Sequence, residues 1–65
     1  MTKQEVINVF DKGNTIYVDG VWTFYRTENG SIWGCCGEPN CCAYDDYSLD
    51  EFMDFIKNRK AVEDD

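Results

Sequence analysis

Residues 15–36 have the sequence TIYVDGVWTFYRTENGSIWGCC, and this stretch decides the predicted fold. Two runs rich in β-branched and aromatic residues, which favour strands, lie on either side of Asp19-Gly20. That dipeptide is typical of a two-residue type I′ hairpin turn, and Asn29-Gly30 repeats the pattern before a third such run. We therefore predict an antiparallel meander of three strands.

The two turns also predict which side chains share a face of the sheet, because a turn sets the register of the strands that it joins. With two-residue turns, Val18 would lie opposite Val21, and Phe24 opposite Cys35. One face would then carry Ile16, Val18, Val21, Thr23, Tyr25 and Ile32. The other face would carry Tyr17, Trp22, Phe24, Arg26, Trp33 and Cys35.

Capping boxes predict a helix on each side of the meander. Thr2 is followed three residues later by Glu5, and Ser48 by Glu51, each time at the start of an apolar stripe with helical spacing. Gly13 supplies a left-handed stop for the first helix. Residues 1–65 are thus predicted to form one small α+β domain. It has an N-terminal helix, a three- to four-stranded antiparallel sheet and a C-terminal helix packed on the sheet.

Two segments outside this frame carry weaker patterns. A short fourth strand is expected over 41–44 if 37–40 form a hairpin loop, and the alternative is an irregular excursion. Residues 62–65 are expected to form a frayed tail.

Both faces of the predicted sheet are apolar enough to need cover. If the two helices cover one face, the other keeps a contiguous aromatic patch, which marks an interaction site. That patch would be buried in a homodimer or against a target. The alternatives are that the helices divide between the faces or that the sheet curves strongly.

The net charge of −7 comes entirely from the middle of the chain. Residues 27–56 contain seven acids and no Lys or Arg, whereas the remainder carries six acids and six bases. Such a field repels nucleic acid and attracts basic protein surfaces, so direct binding to nucleic acid is not expected, nor is a membrane partner. The first ten residues have no apolar run, and no stretch reaches the ~20 apolar residues that span a bilayer. We therefore expect a cytoplasmic protein, in the host cytoplasm if a phage encodes it.

Two adjacent cysteine pairs, separated by four residues, suggest a metal site formed by Cys35, Cys36, Cys41 and Cys42. Zinc requires four converging sulfurs, but neighbouring residues of a strand point to opposite faces. Reduced thiols packed as small apolar side chains and cross-strand disulfides are therefore alternatives to zinc. The chain has no histidine, so a Cys-His dyad is excluded and a non-enzymatic role is predicted; a thiol redox protein remains an alternative.

The acids and nearby aromatic residues predict a binding surface. Several carboxylates without bases attract the Lys/Arg-lined grooves that normally receive phosphates, and aromatic residues commonly anchor interfaces. The chain is thus predicted to be a stoichiometric inhibitor of a nuclease or polymerase-like protein, by analogy of kind with anti-CRISPR and other anti-defence proteins. The alternative to a binding role is that these acids form a solvated helix face and contribute only to solubility. The predicted partner-binding residues are Asp45, Asp46, Asp50, Glu51, Asp54, Trp33, Tyr44 and Tyr47.

Overall fold

The computed structural model describes residues 1–36 and 45–64, and these ranges contain two helices and five strands. The helices are α1 (Lys3–Asp11) and α2 (Leu49–Ile56). The strands are β1 (Thr15–Val18), β2 (Trp22–Arg26), β3 (Ile32–Cys36), β4 (Asp45–Tyr47) and β5 (Ala61–Asp64). They form one antiparallel sheet in the order β4-β3-β2-β1-β5. The predicted α+β fold is confirmed, with β5 added to the predicted sheet beside β1.

The predicted ends of the helices are also confirmed. At α1, Thr2 Oγ1 accepts the Glu5 N–H at 3.2 Å, and the Thr2 N–H donates to Glu5 Oε1 at 2.9 Å. Ser48 and Glu51 form the same reciprocal pair at α2. Gly13 follows α1 with φ +81°, a left-handed conformation that glycine adopts without a Cβ penalty. Neither helix of the described ranges is long and apolar enough to cross a membrane.

The first hairpin differs from the prediction by one residue. Asp19 and Gly20 both have positive φ, and the Val21 N–H donates to the Val18 carbonyl at 3.1 Å, as in a tight turn. The strand ladder, however, pairs Val18 with Trp22, so Val21 is an extra, bulged residue. A one-residue shift turns every side chain of β2 to the opposite face, so the predicted pairing of Val18 with Val21 is wrong.

The second hairpin is also one residue longer than predicted. The Thr27 N–H donates to the Ser31 carbonyl at 2.8 Å, which leaves a three-residue loop that ends at Gly30, with φ +86°. Phe24 therefore lies opposite Gly34 rather than opposite Cys35, its predicted partner. Each hairpin shifts the pairing by one residue, so the two shifts cancel at β3, whose side chains lie on the predicted faces. Only the side chains of β2 lie on the faces opposite to those predicted.

Both helices pack on one face of the sheet, here called the covered face. Phe52 of α2 contacts Phe10 of α1 and Phe24 of β2, with ring centroids 6.1 and 4.9 Å apart. Trp22 and Phe24 were predicted to share a face with Tyr17, but Phe24 belongs to the core and Trp22 packs against it. The covered face includes Ile16, Val18, Trp22, Phe24, Arg26, Ile32, Gly34, Tyr47, Ala61 and Glu63.

The other side of the sheet, here called the open face, bears no helix within the described ranges. Its members alternate along the strands with those of the covered face. Thr23 and Tyr25, predicted on the side of Ile16, lie here because of the bulge in the first hairpin. The open face comprises Thr15, Tyr17, Thr23, Tyr25, Trp33, Cys35, Asp46, Val62 and Asp64.

The predicted frayed tail is wrong over 62–64, which belong to β5. Asp19 accepts the Lys60 N–H at 2.9 Å and pairs with Arg59 at 3.0 Å, which holds the chain where it enters the strand. Glu63 pairs with Lys12 at 2.7 Å. The strand predicted over 41–44 lies outside the described residues.

Candidate functional site

The ion-paired basic side chains lie on the helical side of the molecule. Four of the six bases form ion pairs among the described residues, and none of these pairs involves a residue of the open face. Arg26, predicted to lie beside Trp33, instead sits opposite Ile32 and pairs with Asp11 of α1 at 2.8 Å. The four pairs are Lys3–Asp50, Lys12–Glu63, Arg26–Asp11 and Arg59–Asp19.

The open face, by contrast, presents aromatic and acidic side chains. Asp46, Trp33 and Tyr25 lie side by side on β4, β3 and β2 as direct cross-strand partners. The Trp33 indole N–H donates to Asp46 Oδ1 at 3.2 Å, and the Trp33 and Tyr25 ring centroids are 6.4 Å apart. Asp46 is exposed and Tyr25 is 39% exposed. We call these three residues the open-face trio.

A second row crosses the open face on the next positions of the strands. Cys35, Thr23, Tyr17 and Val62 are successive cross-strand partners. Val62 is 44% exposed, and Asp64 lies at the β5 edge of the same face. Within the described residues, no strand position on this face carries a base. The face is therefore apolar in its centre and negative at both edges.

The predicted acidic flank is divided by the sheet. Asp46 lies on the open face, but Asp50 of α2 pairs with Lys3 at 2.9 Å on the helical side. Asp54 borders a shallow depression with Arg59 and three other residues. Glu51 caps α2 and shares a second depression with Asp46, at the end of the sheet near the second hairpin. The predicted acids therefore do not form one surface.

The predicted aromatic anchors also separate. Trp33 belongs to the open face, whereas Tyr47 lies on the covered face, with its ring centroid 6.0 Å from Phe24 and 5.6 Å from Phe55. Tyr44 lies outside the described residues. Asp45 pairs with Gly34 through the ladder, which places its backbone in β4.

Hydrogen bonds lower the pKa of three carboxylates that lie away from the open face. The backbone N–H of Lys60, and then the side chain of Arg59, lower the pKa of Asp19 below its ordinary value. Lys12, followed by Asn14, lowers the pKa of Glu63, and the N-cap backbone of Thr2 lowers the pKa of Glu5. Asp19 and Glu63 are each paired with a base, so they contribute less to the attraction of a cationic ligand than Asp46, which forms no ion pair among the described residues.

The cysteine cluster falls largely outside the described residues. Cys35 is half-buried on the open face opposite Thr23, and the backbone of Cys36 pairs with Trp22. Cys41 and Cys42 are not described, so the four-thiolate zinc site and the redox dithiol stay predictions. Among the described residues, no three His, Cys, Asp or Glu side chains lie close enough to hold a metal ion.

Sequence reasoning missed Tyr25 as a member of the site, and it missed the interaction that Arg59 makes. The Arg59 guanidinium lies over the rings of Phe55 and Trp22, at 4.5 and 5.1 Å from their centroids. Phe55 precedes Arg59 by only four residues, a spacing at which side chains meet on a helix. Asp19 lies 40 positions away in the chain, and no local pattern indicates its contact or that of Trp22 with Arg59.

Comparison of the chain with known proteins found no relative. No protein-family model, no curated protein and no solved structure matches this chain.

Proposed function

We propose that this chain is a non-enzymatic binding protein that docks its open face on a basic protein surface. The nucleic-acid groove of a nuclease or polymerase-like protein is the partner that fits this chemistry, and occupation of that groove would make the chain a stoichiometric inhibitor. The observation that carries the proposal is the separation of charge described above. The ion-paired bases lie on the helical side, and the open face joins aromatic rings to carboxylates that form no ion pair among the described residues.

The chemistry of the open face favours a basic partner over a second copy of the chain. A homodimer through this face would bring Asp46 and Asp64 of one copy against the acidic face of the other. Like charges at an interface disfavour association, whereas a Lys/Arg-rich surface gains both steering and contact energy. Tyr and Trp are the residue types that most often anchor such contacts.

The experiment measures binding of a fluorescently labelled nona-lysine peptide by anisotropy. Kd should rise with salt between about 50 and 200 mM, because screening shortens the range of the attraction over that interval. Asp46→Asn should weaken binding about two- to fivefold, the effect of removing one exposed charge pair. Asp54→Asn is the matched control, since it changes the net charge equally on the helical side, and its Kd should stay close to that of the wild type.

Equal weakening by the two variants would contradict docking through the open face. It would show that the affinity for the peptide depends on the net charge of the chain rather than on one surface. Salt-independent binding would likewise exclude the electrostatic part of the proposal.

A further inference from the structure

We infer that the open-face trio is a receptor for an arginine side chain of the partner protein. This inference rests on the proposed function and deepens it, because it names the group that the partner inserts. Its basis is a comparison between two places in the same molecule. One is the site that holds Arg59, and the other is the trio of Tyr25, Trp33 and Asp46.

The site of Arg59 shows how this chain holds a guanidinium. Phe55 and Trp22 approach each other edge to face, with centroids 5.6 Å apart, and the guanidinium lies over both rings. The Asp19 carboxylate completes the site, with Oδ2 3.0 Å from Arg59 Nη1. Two tilted aromatic rings and one carboxylate are thus the groups that contact the guanidinium of Arg59 in this chain.

The open-face trio has the same components, two aromatic rings and one carboxylate. Tyr25 and Trp33 are tilted at 51° with centroids 6.4 Å apart. The indole N–H holds the Asp46 carboxylate at the edge of the Trp33 ring. A carboxylate can accept about four hydrogen bonds, so Asp46 keeps acceptor capacity for a guanidinium placed over the rings.

Arginine fits this arrangement better than lysine. Its planar guanidinium stacks on aromatic faces and binds a carboxylate through two parallel hydrogen bonds. Lysine presents a compact, strongly hydrated charge that makes neither contact as well. Arginine is also the more frequent partner in cation–π pairs.

The arginine must come from another protein. The chain has two arginines, and both have partners on the helical side: Arg26 pairs with Asp11, and Arg59 with Asp19. Their use by a second copy would break an existing ion pair. Charge complementarity therefore indicates a different, arginine-bearing protein as the occupant.

The test uses nuclear magnetic resonance of the ¹⁵N-labelled chain with unlabelled nona-arginine or nona-lysine. Trp22 and Trp33 are the only tryptophans, so their two indole N–H signals form a built-in comparison. The Trp33 signal should move on addition of nona-arginine, while the Trp22 signal, whose ring is already covered by Arg59, should stay in place. Nona-arginine should bind about two- to fivefold more tightly than nona-lysine, as expected for one exposed cation–π pair.

Variants then separate the arginine receptor from general charge attraction. Asp46→Asn and Tyr25→Leu should abolish the preference for arginine. Asp64→Asn, which removes an equal charge from the far edge of the same face, should weaken both peptides and keep the preference. Tyr25 is exposed, so the Tyr25→Leu variant should fold. The comparison of the Trp33 and Trp22 indole signals is made on the wild-type chain and therefore does not depend on the folding of any variant.

The outcomes distinguish the inference from the proposed function. Equal affinity for the two peptides, with salt-dependent binding that still requires Asp46, would overturn the arginine receptor and leave the proposed function standing. Movement of the Trp22 signal in place of Trp33 would also overturn the receptor. Binding of neither peptide at low salt would overturn both.

Discussion

Replacement of Gly34 by alanine tests how the sheet is packed against the helices. Gly34 lies directly opposite Phe24 on the covered face. A Cβ at position 34 would stand 2.2 Å from Cε1 of the Phe24 ring, with two more ring carbons at 2.6 and 2.7 Å. Carbon atoms in favourable contact are about 3.5–4.0 Å apart, so the ring or the strand would have to move by roughly 1 Å or more.

The Phe24 ring has little room to make that movement. It is 2% exposed, and its centroid lies 4.9 Å from Phe52, 5.4 Å from Phe55 and 6.0 Å from Tyr47. Close-packed interiors resist added volume because neighbouring side chains must leave their preferred rotamers. The strain of one methyl group would therefore spread from β3 to α2.

Added volume in a packed core costs about 1–3 kcal/mol. The lower entropy of the unfolded alanine chain offsets about 0.4–1 kcal/mol of that cost. The free energy of unfolding should thus fall by about 1–2 kcal/mol, out of roughly 3–10 kcal/mol expected for a domain of this size. The corresponding fall in Tm is roughly 4–16 °C.

Urea unfolding followed by circular dichroism measures the change. Phe24→Leu provides a second background in which to measure the effect of Gly34→Ala. The smaller leucine removes the clash, so Gly34→Ala should cost less in the Phe24→Leu background than in the wild type. A Gly34→Ala variant as stable as the wild type would refute this account of the core. Strict additivity in the double variant would show that Phe24 is not the group that resists the methyl.

Two further predictions concern hydrogen bonds made by single side chains, one at the N-cap of α2 and one at the first hairpin. Ser48→Ala removes the N-cap of α2 and should lower the free energy of unfolding by about 1 kcal/mol in the same urea assay, whereas no loss would contradict the role of the cap. Hydrogen bonds from Lys60 and Arg59 lower the pKa of Asp19, so the unfolded chain binds that proton more readily. This contribution should be complete above the ordinary Asp pKa of about 3.9 and vanish as the pH falls through the lower folded-state pKa. Asp19→Asn should flatten that part of the acid-unfolding profile, and an unchanged profile would contradict the assignment.

The candidate site was only partly predictable, for a reason visible in its residues. Trp33 and Asp46 were among the predicted binding residues, because acids and aromatic side chains near each other indicate an interface. Their neighbour Tyr25 was assigned to the opposite face, since the prediction assumed a two-residue turn. The separation of charge was hidden because ion pairs such as Lys3–Asp50 join residues 47 positions apart.

The sequence by itself determined the starts of both helices, the end of α1, the three central strands and the absence of bases between residues 27 and 56. Capping boxes and turn dipeptides act through hydrogen bonds that span three or four residues, so the local chain contains all the information. The tertiary structure alone decided the bulge at Val21, the pairing of β5 and the face on which each β2 side chain lies. These depend on which whole strand registers pair. The tight turn at Asp19-Gly20 forms, but the ladder resumes at Trp22, and this register buries Phe24 in the core.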